Sequence, residues 1–194
     1  MSLNIYRLVL VLIFFGTFSK AQKPLPPGEY TSTNKKAIKY YEEGQKYFQI
    51  RKDAEAEKEL VKAIKEDDNF IEAHVAYAQM QASKNNFTEA EIHYKRAIEI
   101  DPNYFNALLN LSELLLRADE KFVTEMNKLG TSEKDNKRYE VIKAERNKNF
   151  RSMLPYLEKA VELKPNDEAA KKTLLSVYNA LEMTDKYKAL KAKN

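Results

Sequence analysis

Residues 90–104 read AEIHYKRAIEIDPNY, and the chain writes variants of this phrase twice more: AEKELVKAIKEDDNF over 56–70 and MLPYLEKAVELKPND over 153–167. In each, an alanine (Ala63, Ala97 or Ala160) is followed by a β-branched residue, then by a charged stretch, then by Asp or Pro. The first two copies lie 34 residues apart. Self-similarity at a fixed period means that each copy is one small unit, unable to bury its apolar face alone, that stacks on the next.

Working outward, a unit that starts at Ala37 has successors at Ile71 and Phe105. Small residues fall at its eighth position (Gly44, Ala78, Ser112), its twentieth (Ala56, Ala90) and its twenty-seventh (Ala63, Ala97). Large ones fill the fourth and eleventh, as Tyr40 with Tyr47 and Leu108 with Leu115. Two antiparallel helices that cross closely need a small side chain where the partner passes and a bulky one beside it. Pro102 closes the second unit by stopping its second helix, and Asp68 takes that place in the first.

This pattern resembles the tetratricopeptide repeat family, and the second unit matches best, through Ala78, Phe87, Ala90, Tyr94, Ala97 and Pro102. The resemblance covers residues 37 to about 190. It implies an all-α fold: a TPR-type right-handed helical solenoid of helix-turn-helix repeats. The units are expected at 37–70, 71–104 and 105–167, with terminal helices over 168–194. Leu174, Val177, Tyr178 and Leu181 line one face of the terminal pair, and TDKYKALKAK is a short last helix with a basic outer side.

The third unit carries 29 extra residues, placed at 118–146. They are not loop-like. Leu111, Leu115, Phe122, Met126 and Leu129 keep helical spacing, as do Tyr139, Ile142 and Arg146. Gly130 is a natural helix stop and Thr131 or Ser132 a natural start. An extended helical hairpin is therefore expected to project from the third repeat, with arms reaching roughly 20 Å at about 1.5 Å per residue. Pro155 should kink or restart the returning arm, with Ser152 as a cap. Partial disorder between Asp119 and Arg138 is the alternative.

The N-terminus differs in kind. MSLNIYRLVLVLIFFGTFSKAQ has Arg7, an apolar run from Leu8 to Phe15, and Ser19-Lys20-Ala21 before Gln22. That is the order of a cleaved signal peptide, residues 1–21. The run is short of the about 20 residues that a spanning helix needs. Export to the periplasm is expected, without membrane insertion once the signal is removed; anchoring in the inner membrane by an uncleaved segment is the alternative. Residues 22–36, rich in proline, read as a tether. The SKAQ site, the insertion and the tail are similar to exported tetratricopeptide proteins of Bacteroidetes-type bacteria.

Chemistry finds little support. The chain has no Cys, which excludes disulfides and thiolate metal sites. The net charge of +4 comes from interleaved signs, so nucleic acid is not an expected partner. His74 and His93 are the only histidines. His74 sits where helices pack and His93 is expected to face away or sideways; with no third ligand at matched spacing they read as structural, and no metal or cofactor is expected. No phosphate loop or nucleophile–base set is evident. The sequons at Asn86 and Asn110 read as chance matches.

A non-enzymatic protein–protein interaction scaffold of the cell envelope is the expected function. The alternatives are a self-associating structural protein that uses the hairpin, and an accessory subunit of an envelope enzyme or secretion complex. The oligomeric state stays open. The resemblance places a binding groove on the concave side, along the first helix of each repeat. The positions there are Ile38, Tyr41, Gln45 and Phe48, then Glu72, Val75 and Gln79, then Asn106, Leu109, Glu113 and Leu116. The family's carboxylate clamp for heat-shock chaperone tails needs Lys and Asn where this chain has Tyr41 and Gln45, so that ligand is not expected. Tyr41, Phe48, Val75, Leu109 and Leu116 form an apolar stripe suited to a peptide with hydrophobic anchors. Alternatively, residues 23–36 or the last helix cover it.

Overall fold

A computed structural model describes residues 29–192, and all regular structure in it is helical. The elements are α1 (Lys35–Gln49), α2 (Asp53–Glu66), α3 (Ile71–Ser83), α4 (Phe87–Ile100), α5 (Phe105–Ala118), α6 (Glu120–Asn127), α7 (Glu133–Leu163), α8 (Glu168–Ala180) and α9 (Thr184–Lys191). α1 packs on α2, α3 on α4, α5 on α7 and α8 on α9, and the first helices also meet along α1, α3 and α5. This is the tetratricopeptide-type solenoid. The expected signal peptide and the first part of the tether lie outside the described residues.

The small positions do what close crossing requires. Ala56, Ala63, Ala78, Ala90, Ala97, Ser112 and Ala160 are completely buried. At Gly44 a Cβ would stand 2.8 Å from Leu60 Cγ and 3.3 Å from the Ala56 carbonyl oxygen. α1 and α2 therefore pass closer there than even alanine allows. The first core joins α1 and α2 to α3 through Tyr41, Leu60, Phe70, Tyr77 and Met80. The second runs from α3 to α8 through Val75, Tyr94, Leu111, Met153, Leu157 and Val177. α3 supplies both and is buried on nearly every side.

The turn inside each repeat has a fixed construction. Arg51, Asn85 and Glu182 occupy equivalent positions, and each is left-handed, with φ of 60°, 63° and 58°. The next residue donates its N–H back across the turn: Lys52 to the Tyr47 carbonyl, Asn86 to that of Gln81, Met183 to that of Tyr178, at 2.8–2.9 Å. This six-to-one bond is the Schellman way of ending a helix.

The third repeat breaks the rule. Its equivalent residue is Asp119, which is right-handed helical (φ −71°, ψ −24°). The chain therefore runs on into α6 instead of turning back. Asp119 is buried, and Arg146 of the returning helix holds it, with Nε at 3.0 Å and 2.8 Å from the two carboxylate oxygens. The Leu115 carbonyl, which a backbone N–H would have taken, accepts from Asn149 Nδ2 at 2.9 Å.

The hairpin differs from expectation in two ways. Its outgoing arm is α6, eight residues or about 12 Å, not an unbroken extension of α5. Its returning arm does not restart at Pro155: α7 runs 31 residues through it. Proline lacks the N–H that would bond the Arg151 carbonyl and its ring crowds that oxygen, but both residues are exposed, so water can serve it. Ser152 is not a cap; its hydroxyl donates to the Asn149 carbonyl within the helix. Ser132 caps α7, accepting from the Asp135 N–H at 3.1 Å.

The segment before α1 is part of the fold. Asn34 caps α1 by accepting from the N–H groups of Lys36 and Ala37. Tyr30 stands edge-on to Tyr41 and Phe70, with ring centroids 5.3 Å and 5.9 Å away. Ser32 donates to Asp67. Thr31 bonds to α3 across the repeat boundary, so residues 30–34 are a strap rather than a tether.

Candidate binding face

The eleven residues expected on the concave side divide into two sets. The fifth-position residues Tyr41, Val75 and Leu109 are buried, at 4%, 5% and 8% exposure. Successive first helices approach one another, and a bulky side chain at this position fills the gap between them. Tyr41 also lies beneath Tyr30, with Phe70 5.0 Å away. Burial pushes its hydroxyl far above the ordinary tyrosine range. Phe48 and Ile38 are partly buried against the first core, and Leu116 against the second. The open apolar stripe expected from sequence is thus corrected: it is largely core, and Tyr41 is covered by the chain's own strap.

Glu72 is also spoken for. It is buried, and its carboxylate accepts from Thr31 N–H at 3.2 Å and Thr31 Oγ1 at 2.6 Å. The same hydroxyl accepts from the Ile71 N–H at 3.1 Å, so Thr31 caps the start of α3. Tyr104 lies near Glu72 and Asn106; burial first, and then the Glu72 charge, push its hydroxyl up to about 12.

What remains is polar. Gln45 of α1, Gln79 of α3 and Glu113 of α5 are the ninth residues of their repeat units, and all three are half-buried. They form a row of two carboxamides and one carboxylate that crosses three successive helices. Gln45 donates to the Tyr41 hydroxyl at 3.0 Å, which leaves its carbonyl oxygen to serve elsewhere. Gln79 and Glu113 have no hydrogen-bond or ion-pair partner among the described residues. Burial raises the Glu113 carboxyl above the usual range, and Asp167 adds to the effect. One turn earlier, Asn110 Nδ2 is buried without a hydrogen-bond partner. Gln79 and Glu113 are partly exposed, so water serves them until a ligand takes its place.

Sequence reasoning offered residues 23–36 as a cover only as the alternative, and it singled out none of Tyr30, Thr31, Ser32 or Tyr104. The signal for the strap was present: Ser32-Thr33-Asn34 before a helix is capping chemistry, and Tyr30 is the sole aromatic among residues 22–36. His74 is buried where the helices pack, as expected, but the expectation for His93 is corrected. His93 turns inward, and its Nδ1 lies 2.9 Å from that of His74. Among the described residues no group of three or more His, Cys, Asp or Glu side chains is arranged to hold a metal ion. Among the same residues no helix is long and apolar enough to cross a membrane.

Comparison with known proteins agrees with the fold. Residues 71–104 and 93–134 match two family models, each described as tetratricopeptide repeat. No curated protein matches the chain. Among solved structures, the first TPR of Spaghetti (RPAP3), bound to the HSP90 peptide SRMEEVD, is similar over 76% of this chain and 94% of its own, at 20% identity and a TM-score of 0.54. A double mutant of MamA from RS-1 is similar over 82% of this chain and 73% of its own, at 18% identity and 0.60. A thermophilic TPR protein of Thermus thermophilus covers 79% and 70%, at 18% and 0.54. At these identities the likeness establishes the fold.

Proposed function

We propose that this protein is a non-enzymatic scaffold that holds an extended segment of another protein along the concave row Gln45, Gln79 and Glu113. The observation that carries this is the pair of unpartnered, half-buried groups at Gln79 and Glu113, flanked by the unpaired amide of Asn110. A carboxamide offers both a donor and an acceptor, which suits the N–H and C=O groups of an extended backbone. The shared fold supports the reading, since one structural neighbour is described with a peptide bound. The ligand differs from an acidic chaperone tail: Tyr41 and Gln45 stand where a carboxylate clamp needs Lys and Asn, and Glu113 would repel a carboxylate. With the apolar stripe buried, the affinity comes from backbone hydrogen bonds and charge rather than from hydrophobic anchors.

Display of random extended peptides against the full chain tests this. Selected peptides should lose about tenfold or more in affinity with Gln79→Ala or Glu113→Lys, a loss on the scale of one or two hydrogen bonds. Peptides that bind both variants as well as the parent chain would refute the site.

We place the protein in the cell envelope on the strength of residues 1–22 alone, with Gln22 as the mature N-terminus. N-terminal sequencing of the protein from its native cells decides this; a membrane-pellet protein that keeps residues 1–21 would overturn it.

A further inference from the structure

His74 of α3 and His93 of α4 face each other through their Nδ1 atoms at 2.9 Å. The Nε2 of His74 lies 3.0 Å from the Asp68 carbonyl oxygen. A carbonyl can only accept, so this Nε2 carries the hydrogen, and the Nδ1 of a neutral His74 is an acceptor. The single hydrogen in the gap between the rings therefore belongs to His93. The remaining bare nitrogen, His93 Nε2, lies 3.4 Å from a carboxylate oxygen of Glu89. A first added proton goes there and forms an ion pair without disturbing anything. A second has only His74 Nδ1 to occupy, and at that atom it meets the His93 N–H head-on.

We propose that this pair is an acid-sensitive joint, which takes one proton within the native packing and parts α3 from α4 when it takes a second. The surroundings sharpen the response. The ring of Tyr77, on α3, lies 4.5 Å from that of His93. The charged groups facing the pair are Asp68 from the turn before α3, and Glu89 and Arg96 from α4. Asp68 is already engaged by Arg96, and its carboxylate is 3.8 Å from His74 Nε2. Glu57 of α2 reaches Tyr77 rather than the imidazoles. Glu89 thus supports the first proton, while the Asp68 carboxylate, shared with Arg96, lies on the Nε2 side of His74 and not at the gap where the next must sit.

The direction in pH follows. Burial holds both imidazoles below the ordinary histidine value, with Glu89 partly offsetting this at His93. The unfolded chain takes up protons near about pH 6.5, while the folded pair resists them. The stabilisation is therefore complete above about pH 6.5 and is lost as the pH falls below it. Because α3 serves both cores, loosening its contact with α4 weakens the array at its centre.

Thermal unfolding of the full chain at about pH 7.5 and about pH 5.5, beside the His74→Gln and His93→Gln variants, tests this. The parent chain should lose roughly 3–6 °C more in Tm on acidification than either variant. Side-chain nitrogen NMR of the parent chain supplies a readout that needs no variant to fold. It should show His93 protonating at Nε2 first, and His74 only as the native signals disappear. Equal pH slopes in all three proteins, or independent titration of both rings near the ordinary value with the fold intact, would overturn the joint.

Discussion

The side-chain amide of Asn149 donates to the Leu115 carbonyl at 2.9 Å, taking the place that a backbone N–H holds at the equivalent carbonyls of Tyr47, Gln81 and Tyr178. The inserted hairpin is therefore joined to the array by side chains instead of by a Schellman turn. Asp119 keeps the chain helical where its counterparts reverse it, and Arg146 compensates the buried carboxylate.

Removing Arg146 alone should be damaging. Arg146→Ala leaves the Asp119 carboxylate buried and uncompensated and also strips the cation from the face of Phe150. A loss of about 3 kcal/mol is expected by chemical denaturation. Loss of under about 0.5 kcal/mol, the level of an ordinary surface change, would contradict the role given to the pair.

Removing the whole insertion should do less harm than breaking its base. Excision of residues 118–146 deletes Asp119 and Arg146 together, and a short turn can restore the construction used by the other repeats. α6 packs on α5 and α7, the two arms of its own repeat. The shortened chain should still unfold cooperatively, because repeats depend on their neighbours. Loss of a cooperative transition would show that the hairpin supports more of the array.

The strap should behave as structure. Thr31→Val keeps the shape but removes the hydroxyl that donates to Glu72 and accepts from the Ile71 N–H. The expected cost is about 1–2 kcal/mol. An unchanged denaturation midpoint would return residues 30–34 to the status of a linker.

Tyr41→Ala should cost about 3–5 kcal/mol, as for any large core residue. An open apolar stripe, as expected from the sequence, would instead let Tyr41 be truncated with little loss. The period of 34 made the helices, their pairing and the small crossing positions legible, because a missing side chain at Gly44 or Ala78 has one simple cause. It could not show how near one first helix stands to the next, and that distance decides whether Tyr41, Val75 and Leu109 face water. The polar row at the ninth position was named residue by residue, but its importance was hidden while the apolar stripe was read as open. The His74–His93 contact joins positions four and twenty-three of one repeat, a spacing that no helical periodicity highlights. A small change in a Tyr41→Ala denaturation curve would show that the strap and Phe70 do not enclose it.

The concave row is the part of the molecule on which binding depends. A photoreactive residue placed at Asn106, on the same helix as Glu113, should capture one protein in the native cells, and Glu113→Lys should abolish that capture. The same probe at Ile92, an exposed apolar residue of α4, should not capture it. Capture that is equal at Ile92, or capture at Asn106 that survives Glu113→Lys, would contradict a binding face on α1, α3 and α5.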